Sequence, residues 1–169
     1  MTDTEPRVLV LGLGNPYLTD DGVGVRVAEA VAAMLPPGAA VETREVSVGG
    51  LTLMENMVGW PRVILVDALQ TGEEPPGTVR RMTLDELRSI SPTQHSASPH
   101  DATLPTALAM ADRMGLDVPD ELVIFAIEVE NVMEFGEEPT PEVAEAIPGV
   151  IEAVLDQLRS WGAVPTAAG

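Results

Sequence analysis

RVLVLGLGNPYLTDDGVGV, residues Arg7 to Val25, is an apolar run that breaks into a glycine-punctuated turn and then meets two adjacent carboxylates. Val8 to Leu11 read as a buried strand. Gly12, Gly14 and Asn15 then turn the chain, because residues without a Cβ accept sharp turns and close neighbours. Asp20 and Asp21 stand just before a helical pattern, where an Asp side chain can cap free backbone N–H groups. One of the two is expected to cap the helix, leaving the other to point over the strand end. Strand, turn, acids, helix is how a parallel α/β fold begins. A dinucleotide fingerprint is incomplete here, since Tyr17 stands where its third glycine belongs.

Outward from this stretch, Val23, Val27, Ala30, Val31 and Met34 recur at helical spacing, and Pro36, Pro37 and Gly38 stop the helix. A short strand is expected around Ala40 to Ser47. Gly49 and Gly50 then lead into a short amphipathic helix on Leu51, Leu53, Met54 and Met57. RVILVDAL, Arg62 to Leu69, is apolar almost throughout and reads as a central strand buried on both faces. QTGEEPPG, residues 70–77, is too short for a crossover helix, so a strand at Thr78 to Leu84 lying beside its predecessor must run antiparallel to it. Asp85 to Arg88 suggest a helical turn, and SISPTQHSASP, residues 89–99, a polar loop. Asp101 is expected to cap a helix carrying Leu104, Leu108, Ala111 and Met114. Leu122 to Val129 form the last buried strand, and Pro141 to about Trp161 the terminal helix, which Pro148 either bends or divides.

This order predicts a three-layer α/β sandwich, a mostly parallel twisted sheet of five strands with one antiparallel strand and helices on both faces. Residues 1–169 read as one domain, with 162–169 as a frayed tail. Right-handed crossovers on both sides of the first strand place it beside the third, with a crevice above their carboxyl ends.

With 169 residues and 45% apolar content, the chain is long enough for one well-cored domain and has no apolar run of membrane length. Its polar, acidic start carries no secretory signal, so a cytoplasmic protein is expected. Nine basic against 27 acidic residues give a formal charge of −18, which opposes binding to phosphate backbones. Without cysteine there are no disulfides, thiolate metal sites or cysteine nucleophile. Any metal must rest on Asp, Glu and His.

Asp67 ends the central strand, and a carboxylate there must be capped, protonated or binding something. The topology brings Asp21 and Asp67 to one crevice, and His100, immediately before the next helix, can reach the same edge. Two carboxylates and an imidazole suit a borderline divalent cation with positions open to water or substrate. Each also has a plainer reading, as helix cap, strand terminus and loop residue. His95 competes with His100, but His100 is anchored by Pro99 and the helix that follows.

LGLGNPYLTDDGVGVRVAEAV (11–31), ILVDAL (64–69), SPHDATLPTAL (98–108) and EVENVMEFGEEPTPEVAEAIPGVIEAVLDQL (128–158) together resemble the hydrogenase maturation endopeptidases. These proteases remove a C-terminal extension from the large-subunit precursor of nickel-iron hydrogenases. The resemblance implies a metal-binding site at Asp21, Asp67 and His100, with Asp21 where family members often carry Glu. It implies an aspartic-type endopeptidase whose cut activates the hydrogenase, and a metal dependence in which the site tests for nickel already inserted in the precursor. Other divalent cations could occupy the same three residues. The expected partner is that precursor, with no nucleic acid or membrane and with the protein itself a monomer. On the same resemblance Gly49 and Gly50, after the second strand, could let the substrate backbone approach closely or simply form a turn. Three rivals remain at this stage: a metal-sensing chaperone that binds the precursor without cutting it; a peptidyl-tRNA hydrolase sharing GLGNP, which lacks its histidine segment here and is opposed by the charge; and a nucleotide-binding regulatory domain, which predicts a phosphate or dinucleotide at Gly12 to Asn15 and no metal dependence.

Overall fold

The computed structural model describes residues 7–47, 50–89, 104–130 and 134–166. Its elements are β1 (Val8–Leu13), a 3-10 turn (Thr19–Gly22), α1 (Val23–Met34), β2 (Val41–Val46), α2 (Leu51–Met57), β3 (Arg62–Leu69), β4 (Val79–Met82), α3 (Leu84–Ser89), α4 (Leu104–Arg113), β5 (Glu121–Glu128) and α5 (Pro141–Ser160). The sheet has five strands in the order β2-β1-β3-β5-β4, four of them parallel and β4 antiparallel.

Alternation along the strands divides the interior into two cores, one on each face. Val8, Val10, Ile64, Val66, Phe125 and Ile127 face α1 and α5, where they meet Val23, Val27, Val31, Val150 and Val154. Leu9, Leu11, Val63, Leu65 and Ile124 face the other way and pack with Leu53, Met57, Leu87, Leu104 and Ala107 from α2, α3 and α4. The apolar run of β3 is thus covered on both sides, as a central parallel strand requires. Because α1 lies on one face and α2 on the other, the chain leaves β1 and arrives at β3 from opposite layers. The carboxyl ends of β1 and β3, paired from Val8↔Arg62 to Gly12↔Val66, therefore form the switch point of the sheet.

Four details correct or narrow the sequence reading. The antiparallel strand is displaced: β4 pairs with β5, Val79 opposite Ile127 and Met82 opposite Ile124, because β3 already has β1 and β5 as neighbours. Of the two readings of Pro148, division is excluded, because α5 is one helix from Pro141 to Ser160 with Pro148 inside it. Val143, Val150, Val154, Leu155 and Leu158 stay buried on one side of it, and this packing outweighs the lost backbone hydrogen bond. In the tail expected to fray over 162–169, Ala163 and Val164 are buried in the α1–α5 core, and 167–169 lie outside the described residues. Finally, neither Asp20 nor Asp21 caps α1, whose N-cap is Gly22.

Candidate active site

Above the carboxyl ends of β1 and β3, the chain from Gly14 to Gly24 folds back onto the strands it has just left. Gly24, in the first turn of α1, lies so close to the sheet that a Cβ there would sit 2.3 Å from the Val66 carbonyl oxygen and 2.6 Å from that of Leu13. A Cβ on Gly14 would come 1.9 Å from the Asp21 carbonyl oxygen. These glycines are required by close approach of backbone to backbone. They press the 3-10 turn carrying Asp20 and Asp21 against the strand ends.

Asp21 is 6% exposed, and its Oδ2 accepts a hydrogen bond from the Asn15 backbone N–H at 2.9 Å. In a nucleotide-binding turn that N–H would face a phosphate. Here it faces a carboxylate, and the negative charge works against a second anion. Asp20 is fully buried and reaches a distant element: its Oδ1 accepts from the Thr140 N–H at 2.7 Å, and the Thr140 hydroxyl lies 3.0 Å from both carboxylate oxygens. Thr140 is the N-cap residue of α5, so Asp20 also places a negative charge at that helix's positive end.

Asp67 lies on β3 opposite Ala126, is 3% exposed, and its Oδ1 accepts from the Ala68 N–H at 2.8 Å. Leu65, Asp67, Leu87, Ile124 and Ala126 line a narrow apolar hollow on the α3 side of the sheet. Asp21 and Asp67 thus come from two separate elements to the same edge, the 3-10 turn lying against β3. His100 and His95, with Asp101 and Gly49, fall outside the described residues. Among the described residues, no group of three His, Asp or Glu side chains is arranged to hold a metal ion.

One buried acid went unassigned in the sequence. Glu128 ends β5 as Asp67 ends β3, and it is 3% exposed. It accepts from the Thr71 N–H at 2.8 Å and, through a short hydrogen bond, from the Thr71 hydroxyl, while Arg80 of β4 lies 3.5 Å away. Glu128 thereby fastens the loop after β3 to β4 and β5. The signal that singled out Asp67, an acid closing a buried apolar run, was present here too. Gly50, expected at this edge, is the N-cap residue of α2 with φ 61°.

Residues 25–157 match the family described as hydrogenase maturation protease. The chain is 33% identical over 162 residues to the hydrogenase expression/formation protein HupD of Rhizobium leguminosarum, covering 96% of this chain and 79% of that one. It is 31% identical over 168 residues to the hydrogenase 2 maturation protease of Escherichia coli, covering 96% and 98% respectively. Its fold superposes on the hydrogenase maturating endopeptidase HybD from E. coli with a TM-score of 0.77 at 30% identity, over 92% of this chain and 94% of that one. No helix among the described residues is long and apolar enough to cross a membrane.

Proposed function

The chain belongs to the hydrogenase maturation protease family, and on that premise we propose that it hydrolyses one peptide bond of a nickel-iron hydrogenase large-subunit precursor after nickel insertion, releasing the C-terminal extension. The observation that carries the reading is the burial of Asp21 and Asp67, from two separate elements, at the β1–β3 switch point. Buried carboxylates must be hydrogen-bonded, protonated or bound to a ligand, and two of them gathered at a sheet's switch point make that edge a candidate for chemistry.

Nickel enters as part of the substrate. Asp21, Asp67 and His100 offer two oxygens and one nitrogen, a donor set suited to an ion of nickel's borderline softness. Their role is to take up open positions on the precursor's metal and so to seat the adjoining peptide at the edge. The ion supplies Lewis-acid character there, and the rigid backing of β1, β3 and the 3-10 turn supplies orientation. The hydrogen bonds from Asn15 and Ala68 hold each carboxylate in place before substrate arrives. A precursor without nickel gives the three residues nothing to bind, which makes cleavage conditional on a finished metal site.

The test is the intact mass of a matched precursor, nickel-loaded and nickel-free, after incubation with the protein and with Asp67→Asn. Loss of a C-terminal fragment only from the nickel-loaded form, and only with the unsubstituted protein, is the expected result. Nickel-dependent binding at unchanged mass would replace the protease with a chaperone. Cleavage of the nickel-free precursor at the same rate would remove the metal test from the mechanism.

A further inference from the structure

Two aromatic side chains stand in solvent on the paired segments that lead into and lie against the turn carrying Asp20 and Asp21. Tyr17 is 65% exposed and Phe135 88%, whereas Phe125 and Trp60 are buried. Their exposure does not come from loose attachment. Leu18 and Phe135 form an antiparallel bridge, the Gly136 N–H donates to the Tyr17 carbonyl at 3.0 Å, and the Thr19 hydroxyl donates to the Glu134 carbonyl at 2.6 Å. Asp20 pins the same two segments together through Thr140. Two aromatic side chains held out of the core on hydrogen-bonded backbone are surface suited to a partner.

The surrounding charge is one-sided. No Lys or Arg occurs between Arg7 and Arg26, nor between Arg113 and Arg159, while Glu130, Glu137 and Glu138 are exposed on the segment that carries Phe135. Aromatic faces flanked by carboxylates suit cationic side chains, whose stems lie on the rings while their charges are offset nearby. Nucleic acid and anionic lipid are repelled by such a surface, as is a second copy of a chain carrying −18.

We propose that Tyr17 and Phe135, with Glu130, Glu137 and Glu138, form a docking surface for a basic segment of the protein substrate. This rests on the reading above, in which the occupant of the adjoining edge is a polypeptide. The surface holds the precursor through residues remote from the cut, and so contributes to binding in the ground state and the transition state alike.

Two measurements test it. In the first, fluorescence anisotropy at low salt follows a labelled twelve-residue peptide of alternating Arg and Leu, with an alternating Glu and Leu peptide as control. The Arg peptide is expected to bind at least about tenfold more tightly, and Y17S/F135S to lose about tenfold of that affinity. Equal binding of the two peptides, or full binding by the double variant, overturns the proposal. In the second, precursor processing by Y17S/F135S is expected to show KM raised roughly tenfold with kcat unchanged, and E137Q/E138Q a weaker salt dependence of KM. An unchanged KM overturns the docking surface while leaving the protease standing. If the unsubstituted protein does not cut the precursor, the protease reading fails and the peptide measurement decides the docking surface alone. A dimer that Y17S/F135S converts to monomer in sedimentation would reassign the face to self-association and overturn the proposal.

Discussion

Replacing Gly24 with Ala sets two effects of opposite sign against each other. In an isolated helix the change is favourable by about 1 kcal/mol, because Ala loses less backbone entropy. In this fold the new Cβ would lie 2.3 Å and 2.6 Å from the carbonyl oxygens of Val66 and Leu13, both backbone atoms of central strands that cannot turn aside. Helix α1 must withdraw by roughly 1 Å to restore an ordinary contact. Its packing face, Val23, Val27 and Val31, is fully buried against the sheet. A gap of that size forfeits at least a quarter of the contact, and a quarter of ~2 kcal/mol for each valine is about 1.5 kcal/mol. Strain of overpacking adds ~1–3 kcal/mol. The net expectation is a loss of about 2–3 kcal/mol, or roughly 5–10 °C in Tm for a chain of this size. Gly149→Ala is the control: it sits in α5 with nothing within 4 Å of its Cβ, so it should gain ~0.5–1 kcal/mol. Urea titration of both variants measures the difference. Precursor processing by Gly24→Ala should also fall, since the displaced helix carries the Asp21 turn away from β3. A neutral or stabilising Gly24→Ala would refute the argument that close packing dictates this glycine.

Further outcomes follow from the buried acids. Glu128→Ala removes the acceptor for two Thr71 donors and the counterion of Arg80, and should cost about 2–4 kcal/mol in chemical denaturation; Glu128→Gln, which keeps an acceptor, should cost less. Asp20→Ala strips Thr140 of its acceptor at the start of α5 and should cost about 2–4 kcal/mol, with earlier amide exchange at residues 140–144 as its local sign. Glu45 has its carboxyl raised above 4.5 by partial burial and by Glu29, which shares a hydrogen bond and repels it. The folded state then holds this proton to higher pH than the unfolded state does, so stability is lost as pH rises from 4.5 through the raised value. Glu45→Gln should match the unsubstituted protein near about pH 4 and exceed it in Tm at about pH 7; a difference that does not grow with pH would count against the Glu29–Glu45 coupling.

The division between what could be read and what could not follows the range of the interactions. Apolar period and punctuation are local, and they delivered β3 at Arg62–Leu69, the start of α1 at Val23 and the bounds of α5 to within a residue or so. The neighbouring of β1 and β3 followed from the chirality of crossovers, and with it the placing of Asp21 and Asp67 at one edge. What the residues did not reveal depends on partners far along the chain. One of Asp20 and Asp21 was expected to cap the helix that follows, yet Asp20 accepts from Thr140, 120 residues away. β4 was judged against its sequence neighbour β3, but the vacant edge in the assembled sheet belongs to β5. Pro148 left open whether the terminal helix bends or divides until the buried valines on both sides of it are seen to belong to one helix. The first motif's glycines signalled a tight turn, whereas only the folded chain shows which carbonyls they must clear. The sequence by itself determined the layers, the strand polarity of the parallel core and the neighbouring of β1 and β3, because hydrophobic burial is written in periodicity and crossovers have one hand. Tertiary structure decided which buried polar group answers which, because a hydrogen bond needs two partners in register and the chain records only one of them at a time.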